Sequence, residues 1–200
     1  HIEKRYGTQA QAIDYCKKDG TIHEAGVAAT QGRRSDLMQM MGLIRTGTNC
    51  RDLFESYPVQ SCMYIRALDR YRSELSEPWD RTLERDVRYY HGPSGSGKTL
   101  AAWNEFPNLS LHLGGPWFDG FKDATPFLFD DLDDSVFSLS YLLRLLDRYP
   151  MRVQVKGGSV EWNPPVIIIT SNLDLTEWYP NETSSKRAGL IRRITRDQQF

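Results

Sequence analysis

YHGPSGSGKTL, residues 90–100, decides the fold. Four residues separate Gly92 from the pair Gly97-Lys98, and Thr99 follows, so the stretch fits G-x-x-x-x-G-K-[ST] throughout. Glycines at such positions let backbone N–H groups converge on phosphate oxygens where a Cβ would clash. Gly92, Pro93, Ser94, Gly95, Ser96, Gly97, Lys98 and Thr99 are therefore the expected nucleotide-phosphate-binding residues. Lys98 offers a cation to the β- and γ-phosphates, and Thr99 offers a hydroxyl to Mg²⁺. "RDVRYYH" before the loop reads as a strand. "KTLAAWNEF" after it reads as a helix whose N-terminus favours anions.

Working outward, strands alternate with helices from about Arg85 onward. "LSLHL", "PFLFDD", "MRVQV" and "VIIITSN" are the later strand candidates, and "LSYLLRLLDRY" is an amphipathic helix between them. That alternation predicts an α/β sheet covered on both faces. "PFLFDDLDD" is an apolar strand ending in acids, which places carboxylates at the sheet edge beside the phosphate loop. Asp130 is the expected Mg²⁺ ligand, mostly through water, and Asp131 is expected to polarise an attacking water. Asp133 and Asp134 read as a solvated turn or helix cap. Asn172, at the polar end of "VIIITSN", is placed either to bond the γ-phosphate or the attacking water, or as a plain turn residue.

The amino-terminal side has a different texture. "AQAIDYCKKDG" reads as a helix ending at Gly20, and "ATQGRRSD" as a polar linker. Ser35 is the expected cap of a helix with Leu37, Met40, Met41 and Ile44 on one face, ended by Gly47. "NCRDLFESYP" is a second helix, stopped before Pro58. "QSCMYIRALDRYRSEL" is a third, with Tyr64, Leu68, Tyr71 and Leu75 in register. Three short helices bury little apolar area alone, so a collar for self-association stands beside plain core packing.

The bulk numbers restrict partners more than they identify them. A net charge of −1 means that any nucleic-acid site is local. No apolar run approaches a membrane span, so no membrane association is expected. Three cysteines without CxxC spacing read as free thiols in a reducing compartment rather than disulfides or a zinc site. The start at His1 rather than Met suggests a fragment. "RVQVKGGSVEW" is a hairpin by its alternation, with a Lys-Gly-Gly turn.

"GPSGSGKT", "PWFDGF", "FLFDD", "LLRLLDRYPMRVQVKGG" and "VIIITSN" resemble, in order and spacing, the superfamily 3 helicase domain. With "HIEK", "YCKKDG" and "RRSDL", they resemble the replication initiators of circular single-stranded DNA viruses, circovirus-like in flavour. The resemblance covers nearly the whole chain. It implies a P-loop NTPase of AAA+/superfamily 3 type (residues 85–200), a linker and helical oligomerisation unit (31–84), and the tail of an HUH endonuclease domain (1–30). Tyr15 then matches the nicking nucleophile and Lys18 the lysine of YxxK. Lys98, Thr99, Asp130, Asp131 and Asn172 match the ATPase motifs. Lys156 and Gly157 match a channel hairpin, and Arg192 and Arg193 an arginine finger acting on a neighbour's γ-phosphate. The implied partners are single-stranded DNA, viral origin DNA and a homo-hexameric ring, in the host cell nucleus. The nuclease would use Mn²⁺ or Mg²⁺, yet His1 and His23 do not fit its histidine pair, so this chain is not expected to nick DNA. An RNA helicase of the same superfamily, a small-molecule phosphotransferase and a catalytically silent association module are the competing readings.

Overall fold

The computed structural model describes residues 7–19 and 35–200; His1, Gly20, His23 and the linker up to Arg34 lie outside the described residues. The chain divides into two compact units, His1–Leu68 and Asp69–Phe200. Residues 69–84, which the sequence reading gave to the helical unit, fall in the second.

In the first unit, α1 spans Gln9–Cys16. Its start is a reciprocal cap: the Gln11 N–H donates to the Thr8 hydroxyl (3.2 Å) and the Thr8 N–H to the Gln11 side chain (2.9 Å). A 3-10 turn, Lys17–Asp19, follows. Helix α2 is Ser35–Arg45, with Ser35 inside it, and the chain turns off at Gly47 with φ +86, a left-handed value suited to glycine. Helix α3 is Cys50–Ser56, capped by Asn49, whose side chain accepts from the Asp52 N–H (3.0 Å). Helix α4 is Pro58–Leu75, so Pro58 opens a helix as well as ending one, as its missing N–H permits. Met40, Ile44 and Leu68 are buried, as the periodicity predicts, and so is Leu53; Leu37, Met41, Tyr64 and Tyr71 are half-buried, and Leu75 is exposed.

The second unit is a parallel sheet of five strands: β1 (Asp86–His91), β2 (Ser110–Leu111), β3 (Phe127–Phe129), β6 (Val166–Ser171) and β7 (Arg196–Gln199), in the order β2-β3-β6-β1-β7. Strands β4 (Arg152–Val155) and β5 (Gly158–Glu161) pair only with each other, antiparallel. "MRVQV" thus forms a hairpin arm and not a member of the main sheet. Helices α5 (Lys98–Glu105), α6 (Leu139–Leu145) and α7 (Ser184–Ile191) complete the unit.

Period-two alternation sorts the side chains. Val87, Tyr89, Phe127, Phe129, Ile167 and Ile169 meet Leu139, Leu142 and Leu145 of α6 and Leu190 of α7 on one face. Tyr90, Leu128 and Ile168 meet Ala102 of α5 on the other. Each central strand is apolar on both faces, as a sheet between two helix layers requires. Strand β7 has no such signature. RDQQ is polar throughout, and the strand exists because the free edge of β1 offers it hydrogen bonds in parallel register.

Arg85 fastens the amino end of β1. It is 4% exposed and donates to the carbonyls of Asp147, Trp162 and Pro164. Its guanidinium lies 4.7 Å from the Trp79 ring centre. Burial pushes its pKa down to about 10, so it stays charged near neutrality.

His112 carries a pH dependence. Its ring packs among Phe118, Phe127, Phe129 and Phe137, with centroids 5.2–6.3 Å away. Burial lowers its pKa below the ordinary 6.5, against a smaller raising effect of a hydrogen bond to the Gly115 backbone. The folded state therefore resists a proton that the unfolded chain accepts, and stability is lost as pH falls below 6.5. Denaturant titrations between pH 7 and 5 should show this loss, with a slope of at most about 1.4 kcal/mol per pH unit from this one group. His112→Phe should flatten it; an unchanged slope would assign the effect elsewhere.

Candidate phosphate-binding site

The glycine loop lies at the carboxyl end of β1, between that strand and α5. Gly92, Gly95 and Gly97 have φ values of +142, +81 and +97. A Cβ on Gly92 would come within 2.4 Å of the Phe200 carbonyl oxygen, while Gly95 and Gly97 face open space. Those two glycines thus serve backbone conformation and the approach of a ligand. Gly97 is also the residue before α5 and provides no side-chain cap, leaving the first N–H groups of that helix directed outward.

Lys98 is 6% exposed. Its ammonium donates to the carbonyls of Gly92 (2.8 Å) and Pro93 (2.9 Å) and to the Asn172 side-chain oxygen (3.1 Å). The Asn172 amide donates in turn to Asp131 (2.7 Å). The Thr99 hydroxyl donates to Asp130 Oδ1 (2.6 Å), the same oxygen that accepts from the Thr170 hydroxyl (2.8 Å). Lys98, Thr99, Asp130, Asp131 and Asn172 therefore converge on one cavity of about 360 Å³, which Ser94, Gly95 and Gly97 also line.

Thr170 is the residue that the motif reading passed over. It is 1% exposed. Besides donating to Asp130, its hydroxyl accepts from the Asp131 N–H (2.7 Å), and its carbonyl accepts from the Leu132 N–H (2.8 Å). Asp131 has φ +51, an uncommon conformation for a residue with a side chain, and these bonds hold it there. Asp133 accepts from the Ser135 N–H and hydroxyl, which closes a local turn, whereas Asp134 accepts from the Tyr179 N–H, 45 positions along the chain.

The other expected residues lie elsewhere. Arg192 caps the end of α7 and is exposed. Arg193 instead donates to Asp147 and to the Gly189 carbonyl. Both line a second cavity, of about 540 Å³, with Glu84, Arg85, Asp147 and Arg148 at the amino end of β1. The phosphate loop is at the opposite end of that strand. Lys156 and Gly157 form a two-residue turn between β4 and β5, with Gly157 at φ +94. The Lys156 N–H donates to Asp119 (2.7 Å), and its ammonium lies 3.7 Å from the same carboxylate. In the first unit, Tyr15 is 71% exposed near the end of α1, and Lys18 is exposed in the turn after it.

The arrangement fits a Mg²⁺-bound triphosphate. The lysine is satisfied by neutral carbonyls that an anion can replace, and no Cβ obstructs the cradle at Gly95 or Gly97. Thr99 and Asp130 make a sparse oxygen set of the kind Mg²⁺ completes with water and phosphate. No cluster of three His, Cys, Asp or Glu suited to a metal occurs among the described residues.

A protein-family model described as RNA helicase matches residues 88–173, from β1 to just past β6. The replication-associated protein of Human associated cyclovirus 1 is 34% identical over 202 residues, covering 97% of this chain and 71% of that protein. The chain belongs to the replication-associated protein family. Members from Porcine circovirus 2 and Porcine circovirus 1 are 33% and 34% identical, each over 98% of this chain. The chain spans 63% and 64% of those two proteins, less than two thirds of each. Family membership and the parallel sheet around a phosphate loop put the chain in the helicase class of enzymes, with a P-loop NTPase fold.

Thr170 gives a test of the site's construction that needs no substrate. Thr170→Val keeps shape but leaves the partly buried Asp131 N–H without its acceptor. It should lower unfolding free energy by about 1–3 kcal/mol in denaturant titration. Thr170→Ser should retain most of the stability. A loss in Thr170→Ser with none in Thr170→Val would mean that the methyl group, not the hydroxyl, matters.

Proposed function

We propose that this chain is the ATP-driven helicase portion of a viral rolling-circle replication initiator. The observation that carries the reading is the bonded chain Lys98–Asn172–Asp131, with Thr99 and Asp130 beside it in one cavity. Lys98 holds the β- and γ-phosphates, and Asn172 holds Asp131 toward the attacking water, which Asp131 polarises. Mg²⁺, held by Thr99 and Asp130, would neutralise phosphate charge. Work on a circular DNA genome puts the protein in the host cell nucleus.

Arg192 is the finger in this reading. Arg193 is committed to Asp147, whereas Arg192 makes no side-chain hydrogen bond or ion pair among the described residues. Its place at the far end of β1 from the phosphate loop supports action on a neighbour's nucleotide, within a ring that is homo-hexameric on this reading. Lys156 would hold a backbone phosphate of single-stranded DNA. Tyr15 and Lys18 would serve origin nicking in the whole protein, with a metal site composed of other residues. The RNA helicase description of the matching family model favours RNA as a second substrate; unwinding assays on matched DNA and RNA duplexes separate the two.

Lys98→Ala should abolish ATP hydrolysis. Arg192→Ala should lower it by about 10³-fold or more while leaving stability unchanged. Arg193→Ala should instead destabilise the fold by removing the partner of Asp147. Mixing Lys98→Ala with Arg192→Ala protein should restore part of the activity, because mixed assemblies contain interfaces with an intact lysine and an intact arginine. No recovery at any ratio, with assembly confirmed, would refute action in trans.

A further inference from the structure

Between β2 and β3 the chain runs through PWFDGF, residues 116–121, and the proposed function leaves this segment unused. Three successive residues of it are fixed. Phe118 is fully buried against Phe127, Phe137 and Trp162, and its N–H donates to the Gln154 carbonyl of β4 (2.9 Å). Asp119 accepts from the Lys156 N–H at the hairpin tip. Gly120 has no room for a side chain, since a Cβ would come within 2.1 Å of the Leu111 carbonyl oxygen. Exposure runs exposed–buried–exposed over Trp117, Phe118 and Asp119. Trp117 and Asp119 thus lie on the outward side while Phe118 anchors the segment inward.

Trp117 is 39% exposed, whereas Trp162 and Trp178 are 0% and 1% exposed. It belongs to neither buried cluster. Among the described residues it makes no ring pair and no hydrogen bond. An indole held at the surface by pinned neighbours loses little further freedom when a flat partner covers it. Two cations are near it in the fold. Lys156 follows the β4 residue that bonds Phe118 by two positions, and its side chain is 76% exposed. Lys122, exposed, directly follows the segment. Asp119 is the opposing charge, and it is engaged with the hairpin tip.

We infer that Trp117 is a base-stacking platform for single-stranded DNA, and that Lys156 beside it takes the backbone phosphate. An aromatic face paired with a cation is the combination that binds single strands without reading their sequence. Asp119 is a positioning residue here, since it fixes the hairpin tip against the segment that carries the indole. The inference rests on the nucleic-acid reading of the hairpin given above.

The experiment uses fluorescence anisotropy with the purified chain and two labelled strands of equal length, oligo(dT) and an abasic deoxyribose-phosphate strand. Stacking needs a base, whereas a phosphate contact does not. Trp117→Ala should weaken oligo(dT) binding by about 5- to 150-fold and leave abasic-strand binding at the wild-type level. Trp117→Phe should recover most of the loss. Lys156→Ala should weaken both strands alike. Equal loss on both strands for Trp117→Ala, or no loss on oligo(dT), overturns the stacking role. If Lys156→Ala changes neither strand while Trp117→Ala remains base-selective, the hairpin reading fails and the platform stands. Wild-type protein that binds neither strand overturns both.

Discussion

A buried ammonium governs the site. Lys98 is 6% exposed, and every hydrogen bond it makes goes to an uncharged oxygen, two of them carbonyls of its own loop. A charge taken out of water costs several kcal/mol unless its hydrogens are bonded and its field is answered. The loop meets the first need by curling its carbonyls onto the lysine. The second is left to whatever anion enters. Because one of the three acceptors is Asn172, an entering phosphate competes directly with the residue that also holds Asp131. The same constraint explains why Thr170 matters: with Asn172 shared, the Asp130–Asp131 turn needs an independent anchor, and the Thr170 hydroxyl and carbonyl provide three bonds to it.

The hairpin is fastened unevenly. Its root is part of the main core through Val153 and Trp162, and the Trp162 indole N–H donates to the Leu145 carbonyl at the end of α6 (2.8 Å). Arg152 is paired with Glu161 across the strands and with Glu74 at 3.7 Å. The tip depends on Asp119, through one strong backbone bond and one loose ion pair, and an exposed pair of that kind contributes at most about 1 kcal/mol. Under the proposed function, a firm root with a lightly held tip suits a contact that must release one phosphate before taking the next.

Much of the candidate site's convergence was legible because the chemistry of a phosphate loop dictates residue types at fixed spacing. Gly95 and Gly97 need left-handed backbone, and Asp130 needs an apolar strand to carry it to the sheet edge. Thr170 was not legible. A threonine after three isoleucines reads as one more β-branched strand residue, and its value lies in a partner 39 positions away. Strand β7 was hidden for the opposite reason, since RDQQ has no apolar alternation and its partners belong to the edge of β1. Arg192 and Arg193 are adjacent and alike in type, and what separates them is the Asp147 carboxylate and the Gly189 carbonyl that hold Arg193. The extent of the second unit was obscured in the same way. Residues 69–84 read as helix and linker, but Arg70, Glu74, Glu77 and Trp79 contact Gly158, Arg152, Asn163 and Arg85.

Under the proposed function, the placement of charge along β1 calls for assembly. The phosphate loop follows its last residue, His91. Arg85 precedes its first, and the Thr195 N–H donates to the Val87 carbonyl, which keeps the segment after α7 at that same end. Six residues of strand separate the two ends by about 20 Å, well beyond the reach of an arginine side chain. Arg192 therefore cannot serve the cavity of its own chain. Under the proposed function the missing cation must come from another copy, whose amino-end surface faces this chain's phosphate loop. Those two surfaces are different, so the contact is head-to-tail rather than two-fold, and repeating it either closes a ring or extends without limit. The 540 Å³ cavity that holds Arg148 and Arg192 is then one half of a composite site. The near-neutral charge of the chain fits that scheme, since each copy would present an arginine-lined face at one end of the sheet and a phosphate-filled loop at the other.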